Sequence, residues 1–284
     1  MNEAVSGPSD RGRSENRPSK DWRPLLEPLL RGRVLLVKLG GSVGSEDTLP
    51  ADLALLQSFG AQVVVVHGGG PLITHWLGRV GKETHFVNGL RYTDEETVEV
   101  VRMVLGGLVN TEVVGRLNAA GLRAVGLTGA DDRMILARVR DAELGLVGRV
   151  CAVNPRPVKT LLREGYAAVV APIGLSEDGH FLNINADEVA GELAAALGVA
   201  RLVFLTDVAG VSDGEARLTV VNAVTAQQLI ASGVIAGGMI PKVQAGLRAA
   251  EAGGGAQIID GRQPHALLAA LADPEECGTL VVKE

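Results

Sequence analysis

Cysteine, lysine, aromatic side chains and long apolar runs are all scarce in this 284-residue chain, and each scarcity excludes something. The two cysteines, Cys151 and Cys277, fall in no C-x-x-C or C-x-x-H pattern, so neither a disulfide framework nor a zinc site is expected, and a reducing cytoplasm fits best. Apolar runs such as 63–66 and 167–173 stop far short of the roughly 20 residues that span a bilayer. Positive charge is also in deficit: the net charge is -6 and the isoelectric point about 5.5. The basic patch that displaces counterions from nucleic-acid phosphates is missing. Neither nucleic acid nor membrane is an expected partner.

What the chain does have is 46% hydrophobic content, enough for one large core or two moderate ones. Residues 1–20 mix Ser, Pro, Gly, Asn and both charge signs without apolar periodicity, and read as a disordered tail. They lack the apolar stretch of a secretory signal, and Glu3, Asp10 and Glu15 are acids that a mitochondrial presequence avoids. Pro24 and Pro28 restrict 22–30 to a turn or two of amphipathic helix.

From Arg33 onward, strand-like runs at 34–38, 62–67, 123–127, 167–171, 201–205 and 256–259 alternate with segments of helical spacing. Thr93 with Glu96 reads as a capping box for a long helix that Gly121 ends, and Asn185 as the cap of 186–197 with Gly198 as its stop. Pro241 fits the first turn of a helix reaching 252. The alternation predicts an α/β fold, a mostly parallel sheet with helices on both faces. Gly106 and Gly107, in the middle of the long helix, each cost about 1 kcal/mol relative to alanine. That cost predicts a compensating close approach by a second helix, for instance from a partner subunit.

Lysine occurs 6 times against 21 arginines, yet two lysines lie beside glycines in apolar surroundings, Lys38 in KLGGS and Lys242 in GGMIPKV. A compact ammonium on a flexible stem reaches an anion ringed by glycine backbone where the wide guanidinium fork does not. Gly40, Gly41 and Ser42 follow the first strand; Gly68, Gly69, Gly70 and Pro71 follow the second and open a helix over 72–77. At the carboxyl ends of parallel strands, glycine amides and a helix amino terminus can cradle phosphate. The common fingerprints G-x-G-x-x-G and G-x-x-x-x-G-K-[ST] are absent from these loops, which disfavours a dinucleotide-dependent oxidoreductase and leaves Lys242 as the natural second cation. His67 ends a buried strand and reads as a packed or hydrogen-bonding histidine, not a base; His75, His85, His180 and His265 share no metal spacing.

Six segments in order, KLGGS from Lys38, VVVVHGGGP from Val63, NGLRYTD from Asn88, LNINADEVA from Leu182, LTDVAGV from Leu205 and GGMIPKV from Gly237, resemble the amino acid kinase family. Within it, the chain is similar to the members that phosphorylate N-acetyl-L-glutamate in arginine biosynthesis. The resemblance spans about 33–284. It implies a three-layer αβα sandwich with an open, mostly parallel sheet of about eight strands. It further implies an amino-acid-binding and dimerisation lobe over 21–173 and a nucleotide-binding lobe over 174–284. The implied reaction moves the γ-phosphoryl group of ATP to the side-chain carboxylate of N-acetyl-L-glutamate. That acceptor is already ionised at neutral pH, so no general base is needed, and catalysis rests on alignment and charge neutralisation.

By the same resemblance, Lys38 and Lys242 flank the moving phosphoryl group on the acceptor and ADP sides, Asp187 holds both ammonium groups, and the amides of Gly41 and Gly69 donate to it. Gly69, Gly70, Arg91 and Asn183 would hold the acetylated amino acid, Arg91 clamping its α-carboxylate with a two-pronged contact. Asp207, Val208, Ala209, Gly210, Val211 and Ser212, with Val234, Ile235 and Ala236, would contact the nucleotide. Mg2+ is expected on the ATP phosphates without a dedicated protein cage. A sibling kinase for a carrier-linked aminoadipate and a catalytically silent amino-acid sensor are the alternatives, the second opposed by the intact lysines, Asp187 and glycines. Arginine-inhibited members resemble one another in a long amino-terminal helix that joins dimers into a hexamer. Only 21–32 occupies that place here, so a homodimer with weak or absent arginine control is expected.

Overall fold

The structure, a computed structural model, describes residues 20–40 and 48–284. Residues 1–19 of the expected tail, and Gly41 and Ser42 of the first glycine loop, lie outside the described residues. In chain order the first half runs α1 (Arg23–Leu30), β1 (Val34–Leu39), α2 (Leu49–Ser58), β2 (Gln62–His67), α3 (Gly70–Arg79), β3 (Phe86–Val87), β4 (Leu90–Arg91), α4 (Glu95–Arg102), a π-helical segment (Met103–Val109), α5 (Asn110–Ala119), β5 (Ala124–Thr128), β6 (Ile135–Val139), β7 (Val147–Val153), α6 (Arg156–Arg163), β8 (Ala167–Ala171) and β9 (Ile173–Leu175). The second half adds β10 (Phe181–Ile184), α7 (Ala186–Leu197), β11 (Arg201–Thr206), β12 (Val220–Val221), α8 (Ala223–Ala231), α9 (Met239–Glu251), β13 (Ala256–Asp260), α10 (Ala266–Ala272) and β14 (Thr279–Val281).

Eight strands form one open sheet in the order β12-β14-β13-β11-β1-β2-β8-β5, and its only antiparallel pairing is β13 with β14. The six expected strands are all in it; β1, β2, β8, β11 and β13 are buried over most of their length because both faces are covered, whereas β5 is an edge strand with one buried residue. Strand alternation divides the core between two layers of helix. Leu36, Val64, Val66, Leu202 and Phe204 pack with Val189 and Leu193 of α7 and Val243 of α9. Leu35, Val37, Val63, Val65 and Val203 pack on the other face with Leu53 of α2, Leu117 of α5, Leu268 of α10 and Leu26 of α1. The architecture is the expected αβα sandwich. Elements not foreseen are the β3–β4 hairpin and a small closed barrel, β10-β7-β6-β9, beside the sheet.

Two local expectations meet the structure differently. Asp94, not Thr93, caps α4, its carboxylate accepting from the Thr97 N–H at 2.9 Å. Thr93 is fully buried and committed elsewhere: its N–H donates to the Leu144 carbonyl and its carbonyl accepts from the Leu146 N–H. Glu96 instead accepts from Lys82, whose ammonium also lies 2.7 Å from Asp94 and holds that carboxyl at about 2. At the glycine pair, the long helix widens into the π segment, a frequent companion of functional sites. A Cβ on Gly106 would meet Thr128 and Ile173 at 3.5 and 3.7 Å, so its close neighbours belong to its own chain and are not a second helix; Gly107 faces open space. Helix α1 is two turns long and buries Leu26 and Leu30 on its own chain.

Candidate active site

Lys38 stands at the carboxyl end of β1, in the middle of the sheet, with Phe204 and Val66 as its lateral partners. Alternation turns it to the face covered by α7 and α9. Helix α7 begins there, Asn185 capping it by accepting from the N–H groups of Asp187 and Glu188, so Asp187 sits in the first turn. Helices α7 and α9 cross at Gly191, where a Cβ would lie 2.8 Å from the Ala245 Cα. That close crossing carries Lys242, three residues before Ala245, to Asp187, four residues before Gly191. Lys38 Nζ lies 2.7 Å from Asp187 Oδ1 and Lys242 Nζ 3.2 Å from Asp187 Oδ2. Lys242 also donates to the Gly238 carbonyl at 2.9 Å. Lys38 and Asp187 are 7% and 4% exposed and Lys242 is half-buried, so one largely buried anion stands between two cations.

Beside the triad is a cavity of about 300 Å³ lined by Lys38, Gly69, Gly70, Arg91, Asn183 and Asp187, among others. A Cβ on Gly69 would lie 2.5 Å from Leu105 Cδ2 and 3.3 Å from Val109 Cγ2, both on the π segment, so a side chain there would have to displace the Leu105 tip. Arg91, 7% exposed, is fixed from three sides. Its guanidinium donates to Thr84 Oγ1 at 3.1 Å, and to the Gly70 carbonyl and Thr74 Oγ1, each at 2.9 Å. The Phe86 ring lies 4.8 Å from its Cζ. Burial lowers its pKa from the ordinary value. Both Nη2 hydrogens and one of the two on Nη1 are engaged, which leaves one N–H on Nη1 and the Nε–H, pointing in different directions. Asn183 donates to Thr93 Oγ1 at 3.1 Å, which in turn donates to the Arg91 carbonyl, tying β10 to β4. Its carboxamide oxygen accepts from no described residue. Asn183 and Asp187 are thus four residues apart on one continuous run from β10 into α7.

A second cavity, of about 610 Å³, shares Gly89, Asn185 and Asp187 with the first and is lined by Lys242, Arg140, Arg149 and Glu188. A third, of about 500 Å³, gathers Val208, Ala209, Gly210, Val211, Ser212, Val234, Ile235 and Ala236. Val211 and Ile235 are buried, at 1% and 2% exposure, so they offer backbone more than side chain. Asp207 is exposed and does not line this cavity.

The sequence model of the amino acid kinase family matches residues 33–260. The chain belongs to the amino acid kinase family. This kinase is 46% identical over 261 residues to the acetylglutamate kinase of Synechococcus elongatus, covering 88% of this chain and 87% of that one. It is 45% identical over 274 residues to the acetylglutamate kinase of Halorhodospira halophila, covering 89% and 91%. Among solved structures, smu.665 from Streptococcus mutans superposes with a TM-score of 0.77 at 29% identity, covering 88% of this chain and 99% of that one.

Of the site residues read from the sequence of this kinase, Lys38, Lys242, Asp187, Gly69, Gly70, Arg91 and Asn183 converge on the first two cavities. Gly41 lies outside the described residues. The supporting hydroxyls of Thr74, Thr84 and Thr93 were not foreseen. Thr84 and Thr93 lie 7 and 2 residues from Arg91, but neither spacing is a helix or strand signal, and Thr74 and Asn183 meet their partners 17 and 90 residues away.

Proposed function

We propose that this kinase transfers the γ-phosphoryl group of ATP to the side-chain carboxylate of N-acetyl-L-glutamate, a step of arginine biosynthesis in the cytoplasm. The observation that carries the reading is the Lys38–Asp187–Lys242 triad standing between a cavity that holds a buried, hydrogen-bonded arginine and one leading to the α9 amino terminus. Arg91 receives the α-carboxylate of the acceptor and Asn183 its acetylamino group, leaving the side-chain carboxylate directed at Lys38. An oxygen of that carboxylate forms a bond to the γ-phosphorus as the bond from phosphorus to the β,γ-bridging oxygen breaks; ADP leaves, and no proton moves. Lys38 and the Gly69 N–H stabilise charge on the transferred group, while Lys242 stabilises the leaving oxygen. Asp187 keeps both ammonium groups aligned and stops them repelling one another. A preorganised donor of this kind contributes about 3 kcal/mol to the transition state. The cavity around 208–212 and 234–236 receives the nucleotide. Both oxygens of Asp187 are paired with lysines, so Mg2+ would be held by the nucleotide phosphates, whose charge it neutralises.

The intact triad argues for an active enzyme over a silent sensor. The lobe division at 173 is supported by the sheet, where β5, β8, β2 and β1 come from one side of that boundary and β11, β13, β14 and β12 from the other. A homodimer is supported by Met103 and Leu108, large apolar side chains exposed on the long helix.

The test is phosphoryl transfer from ATP to acetylglutamate, glutamate, aspartate and aminoadipate, with the acyl phosphate trapped by hydroxylamine. Acetylglutamate is the expected acceptor, and preference for another sinks the reading. Lys242→Ala is expected to retain acetylglutamate binding and lose most turnover; near-normal turnover in a coupled ADP assay removes the role given to Lys242.

A further inference from the structure

Behind the second glycine loop lies a buried pair that the chemistry above does not use. His67, 1% exposed, ends β2 and faces away from Lys38, because Lys38 is level with Val66 and neighbouring side chains alternate. Asn110, 5% exposed, opens α5 immediately after the π segment. Its Nδ2 donates to the Val169 carbonyl at 3.1 Å and lies 3.1 Å from His67 Nε2. Gly126 in β5 makes room for the carboxamide, since a Cβ there would stand 2.0 Å from Asn110 Oδ1.

These contacts allow one protonation pattern. A carbonyl only accepts, so the atom facing Val169 is the amide nitrogen, and the His67 Nε2 beside it must accept too. The imidazole proton therefore sits on Nδ1, which donates to the Gly68 carbonyl at 2.9 Å. Burial pushes the imidazole pKa down and keeps this neutral form.

The Gly68 carbonyl and the Gly69 N–H belong to one planar trans peptide and point in opposite directions. Drawing the carbonyl toward His67 turns the N–H the other way, toward the cavity that Gly69 lines with Lys38. There the N–H donates to no described residue. Between two glycines, such a peptide would otherwise rotate at little cost. We infer that Asn110 and His67 are positioning residues for phosphoryl transfer: Asn110 selects the histidine tautomer, and the tautomer aims the Gly69 amide at the transferred group. This rests on the reading of Gly69 as a donor to that group.

The experiment pairs nitrogen-15 NMR of the imidazoles with steady-state kinetics, on the full chain. The His67 signals are assigned by their loss in His67→Phe. In the wild type, neutral His67 is expected to carry its proton on Nδ1. In Asn110→Leu, of similar volume but without a donor, the Nε2-protonated form should appear. Turnover should then fall about tenfold while the KM for acetylglutamate stays within about twofold, the pattern of an interaction made mainly in the transition state. A purely structural role would lower the thermal midpoint and leave both tautomer and turnover in place. Protonation of wild-type His67 on Nε2 overturns the inference, as does unchanged turnover in a folded Asn110→Leu. If that variant does not fold, Asn110→Ala replaces it, and if neither folds the wild-type tautomer alone decides. Failure of the wild type to phosphorylate acetylglutamate would remove the functional reading and leave the tautomer measurement standing.

Discussion

Asp187 is shared by two cations, and that sharing explains how three charged groups persist at such low exposure. A buried ion pair gains little net stability because desolvation offsets attraction, yet removing one partner leaves a charge uncompensated at a cost of about 3–5 kcal/mol. The triad is better understood as an electrostatic template than as a stabilising strut. Arg91 follows the same logic with neutral partners, its fork held by two threonine hydroxyls and the Gly70 carbonyl. Arg91→Lys keeps the charge and loses the planar, two-pronged geometry. The KM for acetylglutamate should rise about tenfold, about 1.4 kcal/mol, with a smaller change in turnover. Steady-state kinetics check this, and an unchanged KM would take Arg91 out of acceptor binding. Among single residues, the lysines were legible because lysine is rare here and both stand beside glycines. Asn110 was not, because its partners His67 and Val169 lie 43 and 59 residues away.

The crossing of α7 and α9 sets the geometry of the triad, and it depends on the missing side chain at Gly191. Gly191→Val would place its Cβ 2.8 Å from the Ala245 backbone, forcing the helices apart. Overpacking of this kind costs about 1–3 kcal/mol. The expected outcome is a lower thermal midpoint together with reduced turnover well below that midpoint, as Lys242 moves off Asp187. Preserved turnover would show that the crossing does not govern the site. At this scale the five inner strands β13, β11, β1, β2 and β8 were readable because burial on both faces leaves an almost unbroken apolar run, and β5 at the edge by its short apolar stretch between turn glycines. The small barrel was not: its strand β7 alternates buried and exposed positions irregularly, and β6 meets it through a register shift at Leu136/Ala137. The glycine pair signalled an anomaly in the long helix, but sequence could not say that the anomaly is a widened turn pressing Leu105 and Val109 onto Gly69.

Across the whole molecule, one sheet passes without interruption from strands of the first half of the chain to strands of the second, β1 pairing directly with β11. The order of alternating elements made this fold class legible, whereas assembly depends on surfaces that no periodicity marks. Sedimentation velocity should give twice the 29.5 kDa chain mass, unchanged by added arginine. A hexamer, or an arginine-dependent shift, would contradict the reading of α1 as a helix docked on its own chain. The unbroken run from Asn183 into Asp187 has a further consequence for selectivity. On the roles proposed above, a contact on the acceptor and the counter-charge of the reacting centre are joined through one short strand-to-helix junction capped by Asn185. An acceptor one methylene too long that displaces Asn183 is then expected to disturb Asp187 as well, and to lose turnover more than affinity in the acceptor comparison.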